Sequence, residues 1–381
     1  MANIAADARP LARAARERLR VGFVSADLCT HPVGYFLDGI WPELASLDVD
    51  LIGFPTRPPR AIDDPLEKRL RQTAKAWLPI AGLSDAAAAK AIRNANIDVL
   101  VDLSGFTSGH RLGVFALKPA PVQWTWLGYF STIGMTSIDA VIADPVSVPP
   151  GAEGEFVKRV LRLPDSRLCF APPDDAPPCR PPPCVDASFI TFGCTQNLSK
   201  INREVLLTWA RILDRRRDAR LLVRNKVLDD PGTAEHFRRR LADAGIAPNR
   251  ATLKGRLPRT SYLESYASID ILLDTFPYPG GTTTCEALFM GVPVVTLRGE
   301  TMLGRQGASL LAAAGCAGWI AGSEAEYIAI AEQLAADRST LADMRRTQRA
   351  KVLASPLMDA PRFARNLRDL LWRAWSDKRL P

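Results

Sequence analysis

Residues 269–297 read IDILLDTFPYPGGTTTCEALFMGVPVVTL: an apolar run ending at Asp274, a turn-rich stretch over 276–281, and a helix opening at 282–284. Gly280 and Gly281 let a backbone approach a ligand closely and reach positive φ. At a helix start the amides of Thr282, Thr283 and Thr284 lack intrahelical partners. With the hydroxyls beside them they form an anion site suited to a diphosphate. Glu286, one turn further in, is placed to accept hydrogen bonds from ribose hydroxyls. The same letters also fit an ordinary Gly-rich turn with a Thr N-cap.

Two further segments have the same placement, after a strand and before a helix. In 192–201 (FGCTQNLSKI) Lys200 offers a fixed positive charge to a phosphate and Asn197 an amide donor; a surface lysine near a helix start is the plainer reading. In 26–36 (ADLCTHPVGYF) His31 follows a strand directly and precedes Pro-Val-Gly, which points to a site at the strand's carboxyl end. His236, in EHFRRR, reads as solvated surface, and His110, in SGHRL, is undecided. Neither a P-loop, an H-E-x-x-H nor a G-x-S-x-G pattern occurs. Paired metal carboxylates are not expected either, so the reading is of a site without metal or cofactor, where lysine, amides and a helix terminus neutralise a leaving diphosphate.

These segments must be held by α/β units, because short β-rich runs alternate with amphipathic stretches. Strands are predicted at 19–25, 49–54, 97–102, 122–127 and 140–142, with a helix at 86–94. Seven of the fourteen residues from 171 to 184 are proline, which no helix interior or central strand tolerates, so an extended interdomain linker is predicted. The alternation restarts with strands at 189–193, 220–224, 251–254, 271–273 and 292–297 and helices at 203–214, 233–244, 260–268 and 284–290. A last amphipathic helix spans 361–375. The predicted domains are an N-terminal helix (1–18), a Rossmann-like domain (19–170), the Pro-rich linker (171–185), a second, nucleotide-sugar-binding Rossmann-like domain (186–355), and a C-terminal segment (356–381) packing back on the first domain. Two doubly wound sheets place a ligand cleft between them, outside the carboxyl ends of the strands.

The chain has 381 residues, 47% of them hydrophobic, enough for two cores. No apolar run reaches the length of a membrane span and no signal-peptide core is present, so a soluble cytoplasmic protein is expected. Seven cysteines without a metal-type CxxC pair read as fillers and loop thiols in a reducing compartment. The formal charge of +8 favours an anionic partner. The basic residues are dispersed, and Arg215–Arg217 reads as a helix end, so nucleic-acid binding is not expected. No internal repeat is found.

Several motifs in order, HPVGYF, PAPVQWTWLGYFSTIG, RLPDSRLCF, FGCTQNLSKIN, DTFPYPGGTTTCEALFMGVPVVTL and ASPLMDAPRF, resemble the O-GlcNAc transferase/SPINDLY family of two-domain (GT-B) glycosyltransferases, from about residue 19 to 375. The resemblance implies a GT-B fold, two Rossmann-like domains facing across a cleft. It also implies inverting transfer from a nucleoside-diphosphate sugar to a Ser/Thr hydroxyl. It matches His31 to a reaction-centre histidine, Lys200 and Asn197 to diphosphate contacts, and Thr282 and Thr283 to the phosphate-binding helix start, which Gly281 and Thr284 flank. Glu286 matches the ribose acid, and Leu127 and Gly128 the loop under the donor sugar. Arg259 and Tyr262 fall on base-side positions that are lysine and histidine in the animal enzyme. The usual GYPGT reads GYFST over 128–132.

About eighteen residues precede the first predicted strand, too few for a 34-residue helical repeat. A catalytic core without such repeats is expected, with a protein acceptor presented by a separate repeat protein. UDP-GlcNAc is the first-choice donor, followed by GDP-fucose and UDP-glucose. A same-fold transferase acting on a glycan or small molecule, and a non-catalytic nucleotide-sugar-binding module, are the other readings.

Overall fold

The computed structural model describes residues 17–58 and 63–377. The predicted N-terminal helix lies outside the described residues apart from 17 and 18. The chain divides into two compact units. One holds the described residues up to 145, residues 149–171 and those from 360 onward. The other holds 146–148 and 172–359.

The first unit carries a parallel sheet of β1 (Leu19–Ser25), β2 (Val49–Pro55), β3 (Ala76–Trp77), β4 (Val99–Asp102), β5 (Val122–Thr125), β6 (Ala140–Ala143) and β7 (Arg159–Arg162), in the order β3-β2-β1-β4-β5-β6-β7. Its central strands are buried on both faces, as strands between two layers of helices must be; all four residues of β4 and of β5 are buried. Val24, Phe54, Ile92 and Phe115 form part of the core. Each such side chain contributes about 1.5–3 kcal/mol when fully buried. The helix Ala360–Asp377 belongs to this unit and turns Phe363, Leu367, Leu371 and Trp375 inward, onto the helix Ile40–Ser46. Phe363 stacks on Trp126, with centroids 6.1 Å apart.

The second unit repeats the plan with β8 (Ile190–Cys194), β9 (Ala219–Arg224), β10 (Ala251–Lys254), β11 (Ile271–Leu273), β12 (Val294–Leu297) and β13 (Ile320–Ala321), ordered β10-β9-β8-β11-β12-β13 and again parallel. The helix Arg203–Arg215 shows why these segments fold as they do. Asn202 caps its first turn through the Val205 amide, and Val205, Trp209, Ile212 and Leu213 fall on one buried stripe. Counted from the first strand of each sheet, both units share the order 3-2-1-4-5-6 of dinucleotide-binding folds.

Two expectations need correcting. The helix predicted at 260–268 is a helix Arg259–Glu264 followed by a 3₁₀ turn Ser265–Ser268. The Pro-rich stretch is not a free extended linker, because guanidinium groups of the second unit strap it down. Arg349 Nη2 donates to the Pro177 carbonyl at 2.7 Å and Arg338 Nη1 to Ala187 at 2.7 Å, while Asp270 accepts the Cys184 amide at 3.0 Å. Proline has no amide to donate, but its carbonyl remains an acceptor that arginine can claim.

Candidate active site

In such sheets ligands gather where the strand order reverses, outside the carboxyl ends of the two central strands. In the second unit these are β8 and β11, and the loops that follow them carry Lys200 and Gly280–Glu286. Asp274 fixes that position. It is fully buried, and its Oδ1 accepts the Gly280 amide at 2.7 Å, the Thr275 amide at 3.0 Å and Gln196 Nε2 at 2.9 Å, while Oδ2 accepts the Thr296 hydroxyl at 2.8 Å. Burial raises its pKa, and the donated hydrogen bonds oppose the rise. Gln306 Nε2 holds the Gly280 carbonyl at 3.0 Å. A Cβ on Gly280 would lie 2.3 Å from Thr284 Oγ1 and 2.9 Å from Gln196 Nε2, so the turn has room only for glycine.

The helix beyond this turn runs Thr282–Phe289, with Gly281 at the N-cap and no side-chain cap. The prediction of three free threonine amides is corrected: the Thr284 amide donates to the Gly281 carbonyl at 3.1 Å, a tightened first turn, which leaves Thr282 and Thr283. The hydroxyls of Thr282 and Thr284 are buried and find no hydrogen-bond partner among the described residues. Buried hydroxyls are nearly always satisfied, so two orphans at one helix start point to a polar ligand.

Lys200 is no surface lysine. Its ammonium donates to the Pro279 carbonyl at 2.8 Å and lies 3.6 Å from the centroid of the Tyr278 ring. Burial lowers its pKa to about 8, an effect that Asp274 and Cys194 partly offset. Asn197 is exposed and caps the 3₁₀ turn Leu198–Lys200 by accepting the Ser199 amide at 3.3 Å.

Glu286 is buried and ion-paired with Arg259. Burial raises its pKa, against the pull of Arg259. Behind the pair lies Tyr266, absent from the sequence reading. Its hydroxyl is 3.1 Å from the Thr283 carbonyl, 3.5 Å from Glu286 Oε2, 2.9 Å from the Tyr262 hydroxyl and 3.2 Å from that of Thr195. The residues matched to ribose, base and phosphate helix thus share one hydrogen-bonded cluster.

In the first unit the reversal lies between β1 and β4. His31 caps the helix Pro32–Asp38, its Nδ1 accepting the Val33 amide at 3.3 Å. Asp27, buried, places Oδ2 3.7 Å from that nitrogen and Oδ1 3.2 Å from Arg57 Nη2. The loop after β4 is fixed by Asp102, which accepts the amides of Ser104 at 3.2 Å and Gly105 at 2.8 Å and the Thr125 hydroxyl at 3.0 Å. This is the arrangement of Asp274 and Thr296 repeated. At the other end of the strands, Asp98 accepts the Arg20 amide at 2.9 Å and Asp270 the Thr191 amide at 2.7 Å. The hexapeptides IDVLVD (97–102) and IDILLD (269–274) carry both roles, a short repeat that corrects the expectation of none.

The loop after β5 holds Leu127 and Gly128; Leu127 has φ +70°, and a Cβ on Gly128 would meet the Leu103 carbonyl at 2.0 Å and Val33 Cγ2 at 3.3 Å. His110 flanks the loop after β4, its ring 6.2 Å from the exposed Phe106, and His236 is exposed on its helix.

An Asp-x-Asp triplet does occur at 48–50, contrary to the expectation of no paired carboxylates. It sits at the amino end of β2, away from the carboxyl ends, with Asp50 paired to Arg18 at 2.8 Å and Asp48 to Arg368 at 3.2 Å. No cluster of three metal-ligating side chains occurs among the described residues. No described helix is long and apolar enough to cross a membrane.

Comparison with known proteins extends this picture. The model of Glycosyl transferase family 41 matches residues 7–169 and 185–367. A Petunia hybrida protein named as a probable UDP-N-acetylglucosamine–peptide N-acetylglucosaminyltransferase SPINDLY is 36% identical over 370 residues, 96% of this chain and 40% of that protein. A Caenorhabditis elegans UDP-N-acetylglucosamine–peptide N-acetylglucosaminyltransferase is 22% identical over 94% of this chain and 41% of its own length. The chain therefore spans about two fifths of these relatives. Among solved structures, a mutant of the Thermobaculum terrenum O-GlcNAc transferase is 39% identical with a TM-score of 0.89, covering 96% of this chain and 69% of that one. Anabaena HepE, solved with UDP and glucose, shares the fold alone, at 13% identity and a TM-score of 0.56 over 93% of this chain and 100% of that one.

Proposed function

This chain belongs to glycosyltransferase family 41, and on that premise we propose that it transfers N-acetylglucosamine from UDP-GlcNAc, with inversion and without a metal, to a Ser/Thr hydroxyl of a protein. The observation that carries the reading is the set of groups at the β8–β11 reversal: Lys200, the amides of Thr282 and Thr283, and the orphan hydroxyls of Thr282 and Thr284. Together they offer an anion one full charge and several donors, rigidly held by Asp274.

In an in-line displacement the acceptor oxygen attacks the anomeric carbon as the glycosidic bond to the diphosphate breaks, and negative charge grows on the leaving group. Preorganised donors aimed at that charge are the largest electrostatic contribution such a site can make. Lys200 and the helix start supply them; Asn197 adds a further polar contact, and Glu286 takes the ribose. Arg259 and Tyr262 serve the base, and Leu127 and Gly128 the sugar.

His31 orients the reacting groups rather than taking the acceptor's proton. Its Nδ1 accepts the Val33 amide, so a neutral ring carries its proton on Nε2 and presents a donor. The acceptor is a protein, and the enzyme works in the cytoplasm.

The test is a thermal-shift panel of UDP-GlcNAc, UDP-glucose, UDP, GDP-fucose and GDP, followed by donor hydrolysis and peptide transfer in excess EDTA. A donor at ~100-fold over its Kd should stabilise the fold by ~2.7 kcal/mol. Selective stabilisation by GDP-fucose would replace the donor; binding with neither hydrolysis nor transfer would leave a binding module. Loss of transfer in EDTA would refute the metal-free mechanism.

A further inference from the structure

The turn after β5 is unusual in having a bulky residue where glycine or asparagine belongs. Leu127 has φ +70°, and the Gly128 amide donates to the Trp126 carbonyl at 2.9 Å, closing a γ-turn about Leu127. A strained residue of this kind persists only where its surroundings over-determine it. On one side the turn is pressed against the Leu103 carbonyl and Val33, which is why position 128 is glycine.

On the other side stands Arg167, a guanidinium only 1% exposed. Its Nη1 donates to the Leu127 carbonyl at 3.3 Å, and its guanidinium carbon lies 4.7 Å from the centroid of the Phe130 ring, three residues further along the same loop. The backbone of Arg167 is itself anchored. Its amide donates to Asp144 Oδ2 at 2.9 Å, and its carbonyl accepts Trp126 Nε1 at 2.9 Å. Burying a cation is costly, and an apolar side chain of similar size would fill the same volume more cheaply. What the guanidinium adds is a fixed grip on both ends of one loop.

We propose that Arg167 is a positioning residue for sugar recognition: it holds the strained Leu127–Gly128 turn in the conformation that meets the donor sugar. The proposal rests on the reading of Leu127 and Gly128 as the sugar side of the site.

The experiment measures, by calorimetry on the full chain, the Kd of UDP-GlcNAc and of UDP. Arg167→Met should raise the Kd for UDP-GlcNAc about tenfold and leave that for UDP within twofold. Phe130→Leu, which keeps the arginine and removes the ring beneath it, should raise the first by a smaller factor and guards against a poorly folded Arg167 variant. A residue that merely supports the fold would weaken both ligands together, or neither.

Gly128→Ala separates the proposal from its premise. If Gly128→Ala changes the ratio of the two constants while Arg167→Met and Phe130→Leu do not, Arg167 has no positioning role. If all three variants leave the ratio unchanged, the turn does not touch the sugar and both readings fall.

Discussion

Arg259 grips the carboxylate of Glu286, a pair in which the acid is 2% exposed and the arginine side chain 36%. The acid is therefore buried while its partner still meets solvent. Removing the arginine strands a buried carboxylate whose pKa burial already raises. Arg259→Ala should cost about 1–2 kcal/mol of stability, less than the ~3–5 of a fully buried broken pair because one partner is solvated. Urea unfolding measures this. An unchanged midpoint would mean that the pair contributes nothing.

Lys200→Ala should lower kcat by ~10²-fold or more, the scale of a lost transition-state electrostatic partner. Its melting temperature should change little, because the cost of burying the ammonium offsets its hydrogen bond to Pro279 and its contact with the Tyr278 ring. Near-normal turnover would remove Lys200 from the mechanism.

The same lysine sets a pH dependence. With its pKa lowered from 10.5 to about 8, the group is charged below pH 8 and neutral above it. Because kcat/KM reports the free enzyme, it should decline as pH rises through about 8. Lys200→Arg keeps its charge throughout, so whatever activity it retains should lack that limb. A profile flat to pH 9.5 in the wild type would contradict the assignment.

Asp274→Asn removes the carboxylate charge that holds four buried donors and offers them one carbonyl oxygen in its place. It should cost about 1–3 kcal/mol, the scale of weakened charge-assisted hydrogen bonds in a buried site, and raise the donor KM as the grip on Gly280 loosens. Asp102→Asn should destabilise by a similar amount, since the first unit uses the same device. Equal donor KM in the wild type and Asp274→Asn would show that the turn holds itself.

Much of this was legible from local pattern. Apolar runs such as 19–25 fold as strands because a parallel sheet buries both faces, and the helix at 203–215 follows its stripe of Val205, Trp209 and Ile212. Less visible were features that depend on distant partners. Tyr266 looks like an ordinary core aromatic until its hydroxyl is seen among Thr195, Tyr262, Thr283 and Glu286. Arg338 and Arg349 look like a solvated helix face, yet they reach back more than a hundred residues to the carbonyls of Ala187 and Pro177. The two-residue strands β3 and β13 carry no periodicity to read. Position in the chain does not reveal that Asp102 and Asp274 are counterparts; the shared strand order does.

The helix Ala360–Asp377 belongs to the unit that begins the chain, and Phe363 covers Trp126 there. On the ribosome this inverts the usual order of completion. Residues 172–359 have all been synthesised before that helix exists, so the second unit has its whole sequence made first. Meanwhile the nascent first unit waits with Trp126 uncovered, a surface that chaperones bind and that aggregation exploits. Of the two units, the one translated earlier is the later to be finished.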